Sequence, residues 1–222
     1  MATNKADTPA RATVRVTGMF VSLDGYAAGT FVSHDEPFGE AIAITEGFDG
    51  RAIHGIDKVE DLTFDNAMAS LWGQGIGVEI MGRGKFGPQT GPWTDDGWRG
   101  WWGEEPPFGT PVIVLTHYER DPIEFDNGTT FHFVDASPRD ALSRAQELAP
   151  GKDIRIGGGP TTVRQFLVED LIDTMHLVIV PVTTGAGTRL LDGITLAPSF
   201  DIESVTSCSG RTHQLWNRKP RH

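Results

Sequence analysis

The chain has one cysteine among 222 residues, an excess of acids over bases, and no long apolar run. Each shortage excludes something. A lone Cys208 forms no disulfide within the chain and no cysteine cluster for zinc. It stands in a serine-rich polar setting and reads as incidental rather than nucleophilic. No apolar run approaches the roughly 18 residues that a bilayer span needs. Met1 to Arg11 is polar and lacks the apolar core of a signal peptide. Lys and Arg number 19 against 30 Asp and Glu, a net charge of −11. That balance argues against nucleic acid or an anionic membrane as the main partner. An anionic cofactor would need Arg or Lys placed locally. The cysteine usage fits a cytoplasmic protein, and no internal repeat is found.

What is present is a core. Hydrophobic residues make up 38% of the chain, with 6 Trp and 12 Phe. Wholesale disorder is excluded. The length suits one α/β domain with long loops over 13–219, after a disordered tail at 1–12. Strand patterns fall at 14–23, 78–81, 112–116, 130–134, 154–156 and 174–182. The stretches 194–206 and 211–218 alternate around Ser209-Gly210 and predict a C-terminal antiparallel hairpin. Ser137 followed by Pro138 predicts a helix start. Phe64 to Trp72 predicts a short helix with Phe64, Ala67, Met68, Leu71 and Trp72 on its core side. Residues 30–62 and 87–111 read as long loops, the first with one short helix at most. Neither His34 nor His54 has a second ligand at metal spacing. Trp93, Trp98, Trp101 and Trp102 fit substrate lining, loop packing or a dimer contact.

The organising stretch is 153–192. Ile154-Arg155-Ile156 runs into Gly157, Gly158 and Gly159, then Pro160-Thr161-Thr162, a helical segment and a second strand. Glycines let a backbone approach an anion closely. Proline suits the first helical turn, and the helix dipole favours negative charge there. The alternative is a tight strand-to-helix connection with no ligand. The six-residue dinucleotide fingerprint is not met, because Thr162 stands where its last glycine belongs.

Two further strands end similarly. Val78 to Met81 leads into Gly82-Arg83-Gly84-Lys85, readable as an anion site or as a solvated basic turn. Val112 to Thr116 ends at Thr116-His117. In a parallel sheet such ends share one edge, and together they favour a long ligand groove. The first strand ends at Ser22-Leu23-Asp24-Gly25. Asp24 there is either a self-capping turn residue or a carboxylate at the mouth.

Ser22-Leu23-Asp24-Gly25-Tyr26, Met81-Gly82-Arg83, Val114-Leu115-Thr116-His117 and Ile156-Gly157-Gly158-Gly159 fall in the order of the dihydrofolate reductase-like family. Leu171-Ile172-Asp173, His176-Leu177, Pro181 and Gly185-Ala186-Gly187-Thr188-Arg189-Leu190-Leu191 match as well. The chain most resembles the C-terminal reductase domain of the bifunctional riboflavin-biosynthesis deaminase/reductase and its stand-alone relatives. The resemblance covers about residues 14–218. It implies a single-domain, three-layer α/β fold with a mixed twisted sheet, NADPH as cofactor, and a homodimer.

It also implies roles. Arg83 lies near the adenosine 2′-phosphate, and Thr116 and His117 border the adenosine. Gly157, Gly158, Gly159, Thr161 and Thr162 cradle the pyrophosphate. Asp24 lies beside nicotinamide and substrate, to position the substrate or relay a proton. Ala27 and Gly29 let the nicotinamide lie close to the backbone. Lys85 stands where the family carries a hydroxyl, beside Gly82, and is a candidate phosphate ligand. The helix carboxylate of true dihydrofolate reductases matches no position here, which points away from folate. The expected activity is hydride transfer from NADPH to a small heterocycle, pterin-like or aminopyrimidine-like. A non-catalytic NADPH-binding protein and an interaction module using the Trp-rich loop are the alternatives.

Overall fold

Alternation is the local rule from which the sheet grows. In β1 (Val14–Ser22), Val14, Val16 and Val21 are buried. A three-residue strand, β2 (Tyr26–Ala28), follows, then a 3-10 turn at Gly39–Ile44. Helix α1 (Phe64–Ala69) begins where the Thr63 side chain accepts from the Asn66 amide. Next come β3 (Ile76–Gly82), the single turn α2 (Arg83–Phe86) and β4 (Pro111–Leu115). A hairpin of β5 (Arg120–Glu124) and β6 (Thr130–Val134) precedes α3 (Pro138–Leu148). Ser137 caps α3 by accepting from Asp140, with Pro138 at its first position. The glycine stretch forms β7 (Asp153–Gly158) and α4 (Pro160–Val168). The chain closes with β8 (Thr174–Val180), the short β9 (Thr188–Arg189), β10 (Phe200–Thr206) and β11 (Thr212–Arg218).

The computed structural model describes residues 12–48, 63–94, 97–195 and 199–220. The tail expected at 1–12 lies outside them except for Ala12, which is buried, and His54 lies outside them too. Among the described residues no helix is long and apolar enough to cross a membrane.

Nine strands form one mixed sheet in the order β10-β11-β8-β1-β7-β3-β4-β6-β5. From β8 to β6 the neighbours are parallel. The expected hairpin of β10 and β11 is antiparallel, as is the β5–β6 hairpin that periodicity did not reveal. β2 and β9 make a separate two-stranded ribbon.

Because side chains alternate, the sheet has two covered faces. On one, Val78, Ile80, Ile113, Ile154 and Ile156 pack against Ala141, Leu142 and Ala145 of α3 and Val163, Phe166 and Leu167 of α4. On the other, Met81, Val112, Val114, Phe131 and Phe133 meet Phe86 with Trp93, Trp98 and Trp102. Farther along that face Phe20 and Val178 meet Ala69 and Trp72. The helix face predicted for 64–72 is therefore corrected. Phe64 and Leu71 are exposed, while Asp65, Ala69 and Trp72 are buried. The burial of Asp65 has a partner to explain it: His213 Nε2 lies 2.9 Å from its carboxylate.

Candidate functional site

The register places the three glycine-bearing or polar strand ends side by side. Met81 of β3 pairs with Gly158 of β7, and Gly82 pairs with Leu115 of β4. The C-terminal ends of β7, β3 and β4 are thus consecutive along one sheet edge. β1 lies on the far side of β7, but the two pair only at Val14–Ile154 and Arg15–Arg155. Past a bulge between Val16 and Met19, β1 stays with β8 as far as Ser22–Val180. A crevice therefore opens between the outer half of β1 and the end of β7. In open parallel sheets that is where ligands lodge.

The turn from β7 into α4 is open on its outer side. Gly158 has φ +106°, a conformation that favours glycine. A Cβ on Gly159 would meet nothing within 4 Å. No side chain caps the first amides of α4, and Pro160 occupies its first position. The amides of that turn and the helix dipole suit an anion. Thr161 is exposed, whereas Thr162 is turned inward. A Cβ on Gly82 would come within 2.3 Å of Thr162 Oγ1, so the end of β3 and the start of α4 are pressed together.

Arg83, the first residue of α2, lies against the 87–111 loop. Its guanidinium carbon stands 3.7 Å from the centre of the Trp93 ring, and Nη1 donates to the Gly91 carbonyl at 2.5 Å. Nε and Nη2 are buried and meet no acceptor among the described residues. Burial lowers its pKa, with Arg120 adding to the effect. Thr116 Oγ1 donates to the Tyr118 carbonyl and accepts from the Tyr118 amide. His117 is 90% exposed and pairs with Asp135 at 3.1 Å.

Lys85 and Asp24 both have partners within the chain. Lys85 does not point outward from the glycine turn. Its ammonium donates to Glu79 at 2.7 Å and to the Gly157 carbonyl at 2.8 Å. Arg155 holds the other Glu79 oxygen at 3.0 Å and reaches the Thr17 carbonyl across the crevice floor. Burial pushes the Glu79 carboxyl up, but the Arg155 and Lys85 charges outweigh it and hold it low. Lys85 thus supports the glycine turn from beneath. An acid inside the apolar run Val78 to Met81, and Arg155 between two isoleucines, were the sequence signals of this buried group.

Asp24 accepts from Ser22 Oγ at 2.6 Å, from the Gly185 amide at 2.8 Å and from the Thr184 amide at 3.2 Å. The Ser22 hydroxyl and then these amides hold its pKa below the ordinary value against some burial. Asp24 tethers the 183–187 loop at the end of β1 through the Thr184 and Gly185 amides. Ala27 is half-buried in the β2 ribbon and packs against the core. Glu40 closes the next loop by accepting from the Thr30 amide at 2.9 Å, and its own and Thr30's amides hold its carboxyl at about 2. In that loop the His34 ring lies 4.8 Å from Trp98, whose Nε1 donates to the Phe86 carbonyl. The loops following β2 and α2 thus touch at His34 and Trp98.

A strand end carrying Gly82-Arg83, a triple-glycine turn and a Ser-Leu-Asp-Gly corner now stand in one cleft. The family model of the RibD C-terminal domain matches residues 13–214. The chain belongs to the RibD C-terminal domain family. Solved structures agree in fold with this RibD-type domain. A candidate riboflavin biosynthesis protein from Shewanella sp. PV-4 is 21% identical, with a TM-score of 0.57, over 94% of this chain and 99% of that one. A pyrimidine reductase-like protein from Corynebacterium diphtheriae is 14% identical at a TM-score of 0.52, over 95% and 93% of the two chains. A diaminohydroxyphosphoribosylaminopyrimidine deaminase/5-amino-6-(5-phosphoribosylamino)uracil reductase from Thermotoga maritima is 14% identical at 0.56, over 94% of this chain and 57% of that one. No curated protein sequence matches the chain significantly. The fold is the single-domain, dihydrofolate reductase-like α/β arrangement, C-terminal hairpin included.

Proposed function

We propose that this RibD-type domain is an NADPH-dependent reductase of a small aminopyrimidine-like heterocycle. The observation that carries the reading is the crevice where β1 parts from β7, continuous with the adjacent ends of β7, β3 and β4. Its residues fit a phosphorylated dinucleotide. The uncapped start of α4 and the open Gly159 suit a pyrophosphate. Arg83 offers two buried N–H groups without acceptors among the described residues. The relatives' names supply the substrate class, since one is a pyrimidine reductase-like protein and another a phosphoribosylaminouracil reductase.

When bound, NADPH supplies a hydride to a C=N or C=O of the heterocycle. The chain's own work is to hold and enclose. Arg83 and the first turn of α4 bind phosphate groups. Lys85 and Glu79 fix the carbonyl side of Gly157, so that the turn keeps its shape. Asp24 keeps the 183–187 loop against the mouth. The contact of His34 with Trp98 ties the loop after β2 to the loop after α2.

The test is calorimetric titration with NADPH and NADH, followed by a substrate screen at the reduced-nicotinamide absorbance band. NADPH binds more tightly than NADH, and Arg83→Ala weakens NADPH by about ten- to a hundredfold while changing NADH little. Absence of NADPH binding by the wild-type chain refutes the reading.

A further inference from the structure

The guanidinium of Arg83 has two bidentate edges, one formed by its two terminal nitrogens and one by Nε with Nη2. Nη1 is taken by the Gly91 carbonyl. The nitrogens left without acceptors among the described residues, Nε and Nη2, make up the side-on edge. Two parallel N–H groups on such an edge match two oxygens of a phosphate. Leaving charged donors buried and unmet is costly. A ligand that meets both recovers that cost.

The aromatic ring that holds this edge in place comes from the 87–111 loop. Trp93 stacks on the Arg83 guanidinium at 3.7 Å and is itself pinned. Its Nε1 donates to the Tyr118 carbonyl at 2.5 Å, and its ring lies edge-on to Phe133 at 5.1 Å and Phe86 at 5.9 Å. A second guanidinium, that of Arg120 on β5, stands 5.1 Å from the same ring and 5.3 Å from Phe133. Two arginines gathered on one tryptophan repel each other in a free protein. A phosphomonoester carries about −1.5 to −2 charges near neutral pH, which one guanidinium does not balance.

We propose that Trp93 and Arg120 are specificity-determining residues of the Arg83 site. Trp93 orients the guanidinium so that its side-on edge meets a terminal phosphomonoester, and Arg120 supplies the second positive charge. The proposal rests on the reading of this cleft as a nucleotide site. It gives the selection of a phosphorylated ribose to a loop that carries no regular secondary structure at Trp93.

The probes are adenosine 2′,5′-bisphosphate and adenosine 5′-monophosphate, titrated by calorimetry into the full chain. Trp93→Leu and Arg120→Gln each weaken the bisphosphate by about five- to twentyfold and leave the monophosphate within about twofold. Trp93→Phe, which keeps a ring face, retains most of the discrimination. Near-UV circular dichroism of each variant confirms that the surrounding core is intact. If Arg83→Ala loses the discrimination but Trp93→Leu and Arg120→Gln lower both probes equally or neither, the proposal falls and the nucleotide site stands. If the wild-type chain binds neither probe nor NADPH, the nucleotide reading falls and takes the proposal with it.

Discussion

A tryptophan fixes the protons of a buried chain of side chains on the β1–β8–β11 side. Trp72 Nε1 only donates, so His176 Nδ1, 2.8 Å away, accepts and the ring is neutral. Its Nε2 then donates to His213 Nδ1 at 2.9 Å, and His213 Nε2 donates to Asp65 at 2.9 Å. Ser209 and Arg211 hold the other Asp65 oxygen. Burial pushes the Asp65 carboxyl up, but Ser209, Ser207 and His213 together outweigh that and lower it. Burial, and then repulsion from a protonated His213, lowers His176 to about 4 from 6.5. With the folded value depressed, the unfolded chain takes up this proton first. Stability therefore falls as the pH drops from about 6.5 to about 4, by about 3 kcal/mol in all. Urea midpoints measured across that range show the loss, and His176→Asn reduces it. A midpoint independent of pH in that window would contradict the assignment. None of this was legible in sequence, because His176, His213 and Asp65 come from three separated elements and follow no common spacing.

Elements explain why the cleft exists. β1 begins beside β7 and ends beside β8 alone, and the bulge at Thr17-Gly18 makes the change. A contact between elements also fixes the glycine at the end of β3. Gly82→Ala forces a Cβ to within 2.3 Å of Thr162 Oγ1 and destabilises by about 1–3 kcal/mol. Thr162→Ala removes that oxygen, so the double variant is more stable than the sum of the single effects by about 1 kcal/mol or more. Chemical denaturation of the four proteins decides it, and strict additivity would show that the two elements are not in contact. Strands with buried apolar runs, such as Val112 to Leu115, were readable from their residues alone. So was α3, whose Ser137-Pro138 start carries both of its signals. The face of α1 was misread because a buried Asp65 breaks the apolar period, and only its partners on β11 and the turn before it account for its burial. β5 escaped because Arg120-Asp121-Pro122-Ile123-Glu124 lies at the sheet edge with one buried residue.

At the scale of the molecule, an acidic chain brings Arg83 and Arg120 together on one tryptophan. Net charge −11 leaves an anionic ligand dependent on the few arginines and amides that converge on one sheet edge. The convergence itself was legible, since glycine-bearing strand ends in a parallel sheet must line up when their strands are neighbours. What each end does was less so. Lys85 and Asp24 carry charges suited to ligand chemistry, yet both are bound to the protein's own backbone. Trp93, which the sequence offered for three uses, stacks on Arg83. The most direct measurement of the account is backbone hydrogen exchange of the full chain with and without NADPH. Protection is predicted at Gly82–Phe86, at Thr116–Tyr118 and at Gly157–Val163, with β10 and β11 unchanged. Bound NADPH that leaves those three segments exchanging as before, or protects the C-terminal hairpin instead, would contradict it.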